Sequence, residues 1–268
     1  TTDKTKTDKT TPLTETKTSI NYQAIDTDEA LIATALMAAP EEVAQWAEHL
    51  FQQGYTVYAV RLAGHGTTPQ DLENRHYSEW LASVNQGQAI LKACCDNMII
   101  AGFSTGAALS LLKVIEQPQA FSAVISISAP VKMASFSANF ASLVNHWNKL
   151  MAGLRIKKFT KRFATNHPDN PHINYPLCPV SSVVQMQTLM RKVKQGLPHL
   201  CLPILVMHAD KDPKINVNSA KVIFNKSGAM QKRYKIISFN QHGIVRGEIS
   251  KQVFSEVDSF LAQVMNNK

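Results

Sequence analysis

Long apolar runs are absent from this chain of 268 residues. No stretch reaches the roughly 18 apolar residues of a membrane-spanning helix, so no transmembrane segment is predicted. Cysteine is scarce, and the four cysteines include no Cys-x-x-Cys pair, so neither a disulfide framework nor a cysteine metal site is expected. An initiator Met and the apolar part of a signal peptide are also missing, so we expect a processed, soluble chain, with the cytoplasm favoured and export left open.

Acidic residues are scarce in one long segment. Between Lys132 and Leu197 ten Lys or Arg stand against one acidic residue, Asp169, a balance of +9 in a chain whose net charge is +8. This charge suggests contact with an anionic lipid surface or with an anionic substrate. Nucleic-acid binding is not expected, because no helix-turn-helix, zinc site or aromatic-interleaved sheet accompanies the basic residues. The oligomeric state stays open.

The chain divides into a tail and one domain. Residues 1–19 contain nine threonines and almost no apolar side chains, which predicts a disordered tail or linker. Residues 20–268 alternate short apolar strands with amphipathic helices and contain no internal repeat. This pattern predicts an α/β fold with a mostly parallel central sheet and helices on both faces. At about 132–200 the alternation breaks, and helical spacing with Pro-rich loops predicts a helical cap insertion over the active-site edge.

The pentapeptide Gly102–Gly106 has the pattern Gly-x-Ser-x-Gly. It follows the apolar run Met98–Ala101 and precedes a stretch that is predicted to be helical. A strand, this pentapeptide and a helix form a nucleophile elbow, in which a tight turn exposes the serine. Ser104 is therefore the candidate nucleophile, and the backbone N–H of Thr105 is a candidate oxyanion donor.

A serine nucleophile needs a base and a group that orients the base. After an elbow of this kind, the acid and then the histidine follow later strands in the chain. Asp212 lies in the loop after the predicted strand Leu202–His208 and is preferred as the acid, with Asp210 as the fallback. His242 is the only histidine after Asp212, and it follows the predicted strand Tyr234–Phe239.

The other histidines have no predicted part in the chemistry. His65 lies in a loop after a strand and is expected to shape the edge of the pocket. His208 ends a strand and is expected to be a packed core residue. No histidine has metal-ligand spacing, so neither a metal nor an organic cofactor is predicted.

These motifs together resemble the α/β-hydrolase superfamily, and most closely its bacterial carboxylesterase and monoacylglycerol lipase group. The likeness rests on four stretches: 40–66, Gly102–Gly106, His208–Pro213 and Gln241–Gly243. It implies a serine hydrolase in which Ser104 is the nucleophile, Asp212 the orienting acid and His242 the base.

The resemblance also implies that the Leu36 N–H is the second oxyanion donor. Members of the group usually carry His-Gly before this position, whereas this chain has Thr34-Ala35. Glycine reaches backbone angles that are costly for alanine, so this loop departs from the family pattern.

The predicted function is hydrolysis of a small-molecule carboxylic ester through an acyl-enzyme. A thioesterase or acyltransferase would use the same three residues. The altered loop before Leu36 favours a second class, a catalytically weak or silent binding module of the same fold. A hydrolase acting on C–C bonds is a third possibility. The substrate-binding residues, the acyl length and the leaving group are not determined by the sequence.

Overall fold

The structure is a computed structural model that describes residues 20–22, 29–34, 40–133, 141–153, 160–166, 169 and 174–266. The predicted tail at 1–19 lies outside these residues. The described strands are β1 (Ile20–Tyr22), β2 (Glu29–Thr34), β3 (Thr56–Val60), β4 (Asn97–Phe103), β5 (Ala123–Ile127), β6 (Phe163–Thr165), β7 (Leu177–Pro179), β8 (Ile204–Ala209) and β9 (Lys232–Ile237). The described α-helices are α1 (Ala44–Gln52), α2 (Pro69–Glu73), α3 (Tyr77–Lys92), α4 (Thr105–Glu116), α5 (Ala141–Gly153), α6 (Val180–Gly196), α7 (Asn218–Lys226) and α8 (Ser250–Asn266).

One sheet organises the described part of the chain. Its strand order is β1-β3-β2-β4-β5-β8-β9, and every pair is parallel except β1 with β3. Strands β6 and β7 form a separate antiparallel pair. Parallel strands end at a common edge, so the loops that follow β4, β8 and β9 meet there.

Helices cover both faces of this sheet. Alternate residues of β4 point to opposite faces: Ile99 belongs to a core cluster with α1 and α8, and Ile100 to a cluster with α3, α4 and α6. The central strands β4, β5 and β8 are almost entirely buried, which explains their continuous apolar sequences.

The segment between β5 and β8 contains α5, the β6–β7 pair and α6. Helix α6 lies inside the predicted cap range of 132–200, yet its Leu189 and Val193 are fully buried in the α3–α4 cluster. This helix therefore packs on the core along one side, although it lies within the predicted cap insertion.

Two predicted element boundaries differ from the structure. The apolar spacing within Glu41–Gln53 predicts one helix over that range, whereas the structure has a 3₁₀ turn at Pro40–Glu42 and starts α1 only at Ala44, because Val43 has non-helical backbone angles. The apolar stretch Ala30–Met37 predicts a strand, and the structure describes β2, which ends at Thr34, while residues 35–39 lie outside the described residues. Among the described helices, none has the length and apolarity to cross a membrane.

Candidate active site

Ser104 sits in a sharp turn between β4 and α4. Its backbone φ of 56° is in the left-handed region, which is strained for serine, and its N–H donates to the Ile127 carbonyl (2.8 Å). Gly102 makes the turn possible, because a Cβ on it would lie 2.3 Å from the carbonyl carbon of Gly106. The predicted strand, turn and helix are all present.

Ser104, His242 and Asp212 are connected by hydrogen bonds. His242 Nε2 lies 2.8 Å from Ser104 Oγ, and His242 Nδ1 lies 2.6 Å from Asp212 Oδ2. With a proton on Nδ1, His242 donates to the carboxylate and accepts the serine proton at Nε2. All three side chains are buried, and the His242 ring packs 4.8 Å from that of Phe103.

Asp212 is held by its own loop. Its Oδ1 accepts the backbone N–H groups of Lys214 (2.8 Å) and Ile215 (3.0 Å). Burial alone would raise the pKa of Asp212, but hydrogen bonds from His208, from His242 and from Ile215 outweigh it and hold the pKa far below its usual range. Asp212 is therefore ionised and can stabilise a protonated His242.

His208 is a second histidine on this carboxylate. It is fully buried, as the sequence predicts, and its Nε2 lies 3.2 Å from Asp212 Oδ2. The contact was not predicted from the sequence. The four-residue spacing from His208, next to the end of β8, to Asp212 is the signal that could have indicated it.

Asp210, the fallback acid, is bonded to the loop after β9. Its carboxylate accepts the backbone N–H of Phe239 (2.9 Å) and lies 3.2 Å from Ser238 Oγ, so it braces the loop after β9. His65 is not at the pocket edge. It is fully buried, packs edge-on against Trp80, and burial lowers its pKa to about 4.

A cavity of about 650 Å³ opens beside Ser104. One wall is apolar and comes largely from α5 and α6, where Val144, Val183 and Met186 line it. Met186 Sδ lies 3.2 Å from Thr105 Oγ1, so this wall touches the turn that carries Ser104.

The other side of the cavity is polar. Asn174 donates to Glu42 Oε2 (3.3 Å), and Arg246 pairs with the same oxygen (3.2 Å). Burial raises the pKa of Glu42 against the opposing effect of Arg246. Asp169 completes this side, with its Oδ2 bound to the loop of His242. None of these residues was identified from the sequence, because they come from separate segments.

Residues 40–249 match the family model described as Serine aminopeptidase, S33 (Hydrolase_4). The match spans more than half of the chain and includes all three of the hydrogen-bonded side chains. The chain belongs to this family. It is thus a serine hydrolase, and the predictions of an α/β-hydrolase and of an enzyme are confirmed.

Two curated relatives resemble this Hydrolase_4 member over most of their length. A thermostable monoacylglycerol lipase of Bacillus sp. (strain H-257) is 26% identical over 204 residues, which cover 75% of this chain and 77% of the lipase. A carboxylesterase of Bacillus subtilis (strain 168) is 22% identical over 224 residues, covering 83% and 87%.

Solved structures share the fold of this Hydrolase_4 member. A structure from the metagenome-derived lipolytic enzymes LipS and LipT superposes with a TM-score of 0.81 at 19% identity, covering 92% of this chain and 98% of that one. The monoacylglycerol lipase of Paleococcus ferrophilus gives 0.74 at 14% identity, with coverage of 92% and 98%. The predicted α/β-hydrolase architecture is confirmed.

The oxyanion donors are only partly described. Thr105 is the first residue of α4 and lines the cavity, so its N–H belongs to the unpaired first turn of that helix. Thr34 ends β2 opposite Gly102, and Leu36 lies outside the described residues. Among the described residues no group of His, Cys, Asp and Glu is arranged to hold a metal ion.

Proposed function

We propose that this enzyme hydrolyses carboxylic esters that combine an apolar acyl chain with a polar alcohol. The observation that carries the proposal is the continuous hydrogen-bond path from Ser104 Oγ through His242 to the ionised Asp212. Relatives that are a monoacylglycerol lipase and a carboxylesterase support the same class of substrate.

The path of protons and electrons follows from this geometry. Ser104 Oγ attacks the ester carbonyl carbon while His242 Nε2 takes its proton, and Asp212 stabilises the resulting imidazolium. The carbon–oxygen bond to the alcohol then breaks, and His242 protonates the leaving oxygen. Water, deprotonated by His242, attacks the acyl-enzyme and releases the acid and Ser104.

The developing oxyanion needs backbone donors. The Thr105 N–H at the start of α4 is the first of these, and the partial positive charge of the helix N-terminus adds to it. The Leu36 N–H is the second donor in this proposal. This second donor departs from the pattern of the group, because Thr34-Ala35 stands in place of the usual His-Gly.

The cavity divides the substrate between two environments. The apolar α5–α6 wall suits an acyl chain, because burying each methylene gains about 0.8 kcal/mol. The polar side with Glu42, Asn174 and Asp169 suits hydroxyl groups of the alcohol, which need hydrogen-bond partners once they leave water.

A panel of substrates tests this function. We expect turnover of p-nitrophenyl esters and of monoacylglycerols, labelling of Ser104 by a fluorophosphonate probe, and loss of both in Ser104→Ala. Faster turnover of acyl thioesters would identify a thioesterase, and turnover of aminoacyl p-nitroanilides would identify a peptidase. No labelling of the wild-type enzyme would instead support a silent binding module.

We also propose that the cap region contacts an anionic lipid surface. Leu143, Trp147 and Leu150 are half or more exposed and lie on one face of α5 at helical spacing. Two hydrogen bonds join the backbone of Lys161 to the Asn148 side chain on the same helix (both 2.8 Å), which places this basic residue beside α5. Apolar insertion and cationic attraction act together in such contacts.

Vesicle co-sedimentation tests whether the cap region binds an anionic lipid surface. Phosphatidylglycerol vesicles should bind the protein at low salt more strongly than phosphatidylcholine vesicles, and the double substitution Leu143→Ser with Leu150→Ser should weaken binding. Met230→Ser is the control, since Met230 is 99% exposed and lies outside the cap region. Equal binding to both vesicles would argue against the proposal, and turnover of a soluble short ester should not change in any variant.

A further inference from the structure

Asp169 connects the cap region to the loop that carries His242. Its Oδ2 accepts two consecutive backbone N–H groups, those of His242 (3.1 Å) and Gly243 (2.9 Å). A carboxylate that accepts two adjacent backbone N–H groups fixes both the position and the orientation of that peptide. Asp169 is the only acidic residue in the basic segment between Lys132 and Leu197.

The loop around His242 has little regular structure to hold it. It connects β9 to α8, and residues 238–249 contain neither strand nor helix. Within it the Ile244 N–H donates to the His242 carbonyl (3.1 Å), so the peptide is braced locally on its C-terminal side. The bonds to Asp169 brace its N–H side from a different segment of the chain.

Asp169 also reaches the second loop of the site. Its Oδ1 lies 3.4 Å from Lys214 Nζ, and Lys214 donates its own N–H to Asp212. One side chain thus contacts the loop of His242 with one oxygen and the loop of Asp212 with the other. The Asp169 side chain is 21% exposed and lines the cavity, so these bonds are partly shielded from water.

We propose that Asp169 is a positioning residue for His242. It holds the backbone of His242 so that Nε2 stays within hydrogen-bond reach of Ser104, and it makes the alignment of the base depend on the cap region being in place. The inference rests on the proposed function, in which His242 is the base. It assigns no proton transfer to Asp169.

Three variants separate this role from others. Asp169→Ala removes the acceptor and should lower kcat for a soluble p-nitrophenyl ester by roughly 10- to 100-fold with a smaller change in KM, because misplacing a catalytic group by about 1 Å has effects of this size. Asp169→Asn keeps an acceptor oxygen and should restore most of kcat. Asp258→Ala is the matched control and should leave kcat unchanged. Asp258 also bonds a histidine, since its Oδ1 lies 2.9 Å from His49 Nε2, but it belongs to α8 and does not line the cavity.

Amide hydrogen exchange gives a readout that is independent of turnover. The amides of His242 and Gly243 should exchange faster in Asp169→Ala than in the wild type, while those of β4 and β8 keep their protection. Unchanged exchange of the two amides, an effect on KM alone, or an equal loss of kcat in Asp169→Asn and Asp169→Ala would each overturn the proposal.

The proposed function and the positioning role of Asp169 can be disproved separately. If Ser104→Ala or His242→Ala keeps its activity, the proposed function is wrong, whatever the exchange data show. If both lose activity while Asp169→Ala keeps its kcat, the proposed function stands and the positioning role is wrong.

Discussion

His65 is a histidine that burial keeps neutral. It is fully buried, its Nδ1 lies 3.0 Å from the Ala63 carbonyl, and its Nε2 has no hydrogen-bond partner among the described residues. Burial lowers its pKa to about 4, whereas a histidine in an unfolded chain titrates near 6.5. Unfolding therefore takes up a proton between these two values.

His65 should make the folded protein sensitive to acid. Its contribution to the free energy of unfolding is complete above pH 6.5 and is lost as the pH falls to about 4, a change of about 3 kcal/mol. We expect His65→Gln to lose less stability than the wild type between pH 7 and pH 4 in urea titrations. Equal losses would show that His65 is not the group that titrates.

Gly102 leaves space for the turn that carries Ser104. A methyl group there would meet the backbone of Gly106 and Ala107 at 2.3–2.4 Å, and backbone cannot move aside as a flexible side chain can. Gly102→Ala should lower the free energy of unfolding by about 1–3 kcal/mol or more and abolish fluorophosphonate labelling.

Gly153→Ala is the control for Gly102→Ala. Gly153 ends α5, and a Cβ added to it has no atom of the described residues within 4 Å. This change should leave labelling intact and alter the stability by less than about 1 kcal/mol. If the two alanine variants behave alike, the close approach at Gly102 is not what shapes the turn.

At the scale of elements, helix α6 contacts both the core and the cavity. Leu189 and Val193 bury against α3 and α4, while Val183 and Met186 face the cavity beside Ser104. A helix fixed on one side by the core gives the cavity a rigid wall. In the proposed function this wall limits the length of the acyl chain that can bind.

Enlarging Val183 should shift the acyl preference. Val183→Phe fills part of the apolar wall, so the ratio of kcat/KM for decanoate over butyrate p-nitrophenyl esters should fall by roughly tenfold, as expected for excluding one or two methylenes. Val184→Phe is the matched control, because Val184 is adjacent on α6 and does not line the cavity. An unchanged ratio in Val183→Phe would place the acyl chain elsewhere.

At the scale of the whole molecule, two helix layers share one sheet. Phe260 on α8 is fully buried on one face, and Leu109 on α4 is fully buried on the other. Because β4 contributes alternate side chains to both clusters, loss of either layer exposes the same strand. The two layers are therefore expected to unfold together.

Alanine substitutions on the two faces test this coupling. Phe260→Ala should cost about 3–5 kcal/mol and Leu109→Ala about 2–5 kcal/mol, and each should lower the Tm of one shared calorimetric transition. Ile90→Ala, at a position that is 43% exposed, should have a much smaller effect. Two separate transitions in either core variant would show that the layers are independent.

Much of the fold could be predicted from local pattern. The buried strands β4, β5 and β8 and the long helices follow from apolar runs and helical spacing. Ser104, Asp212 and His242 could be selected as candidates from the order of the strands that precede them. The 3₁₀ turn before α1 and the mixed role of α6 could not be predicted, because tertiary packing overrides helical propensity at such positions.

By itself, the sequence determined the order of strands and helices, the turn at Ser104 and the residues that could form a proton path with it. These depend on side-chain periodicity and on glycine at one tight turn, which are properties of short segments. Only the tertiary structure decided that His208 shares the Asp212 carboxylate, that Asp210 braces a loop instead, and that Asp169 binds the backbone of His242. Such contacts join residues up to 74 positions apart, and their geometry exists only once the sheet has brought the loops to one edge.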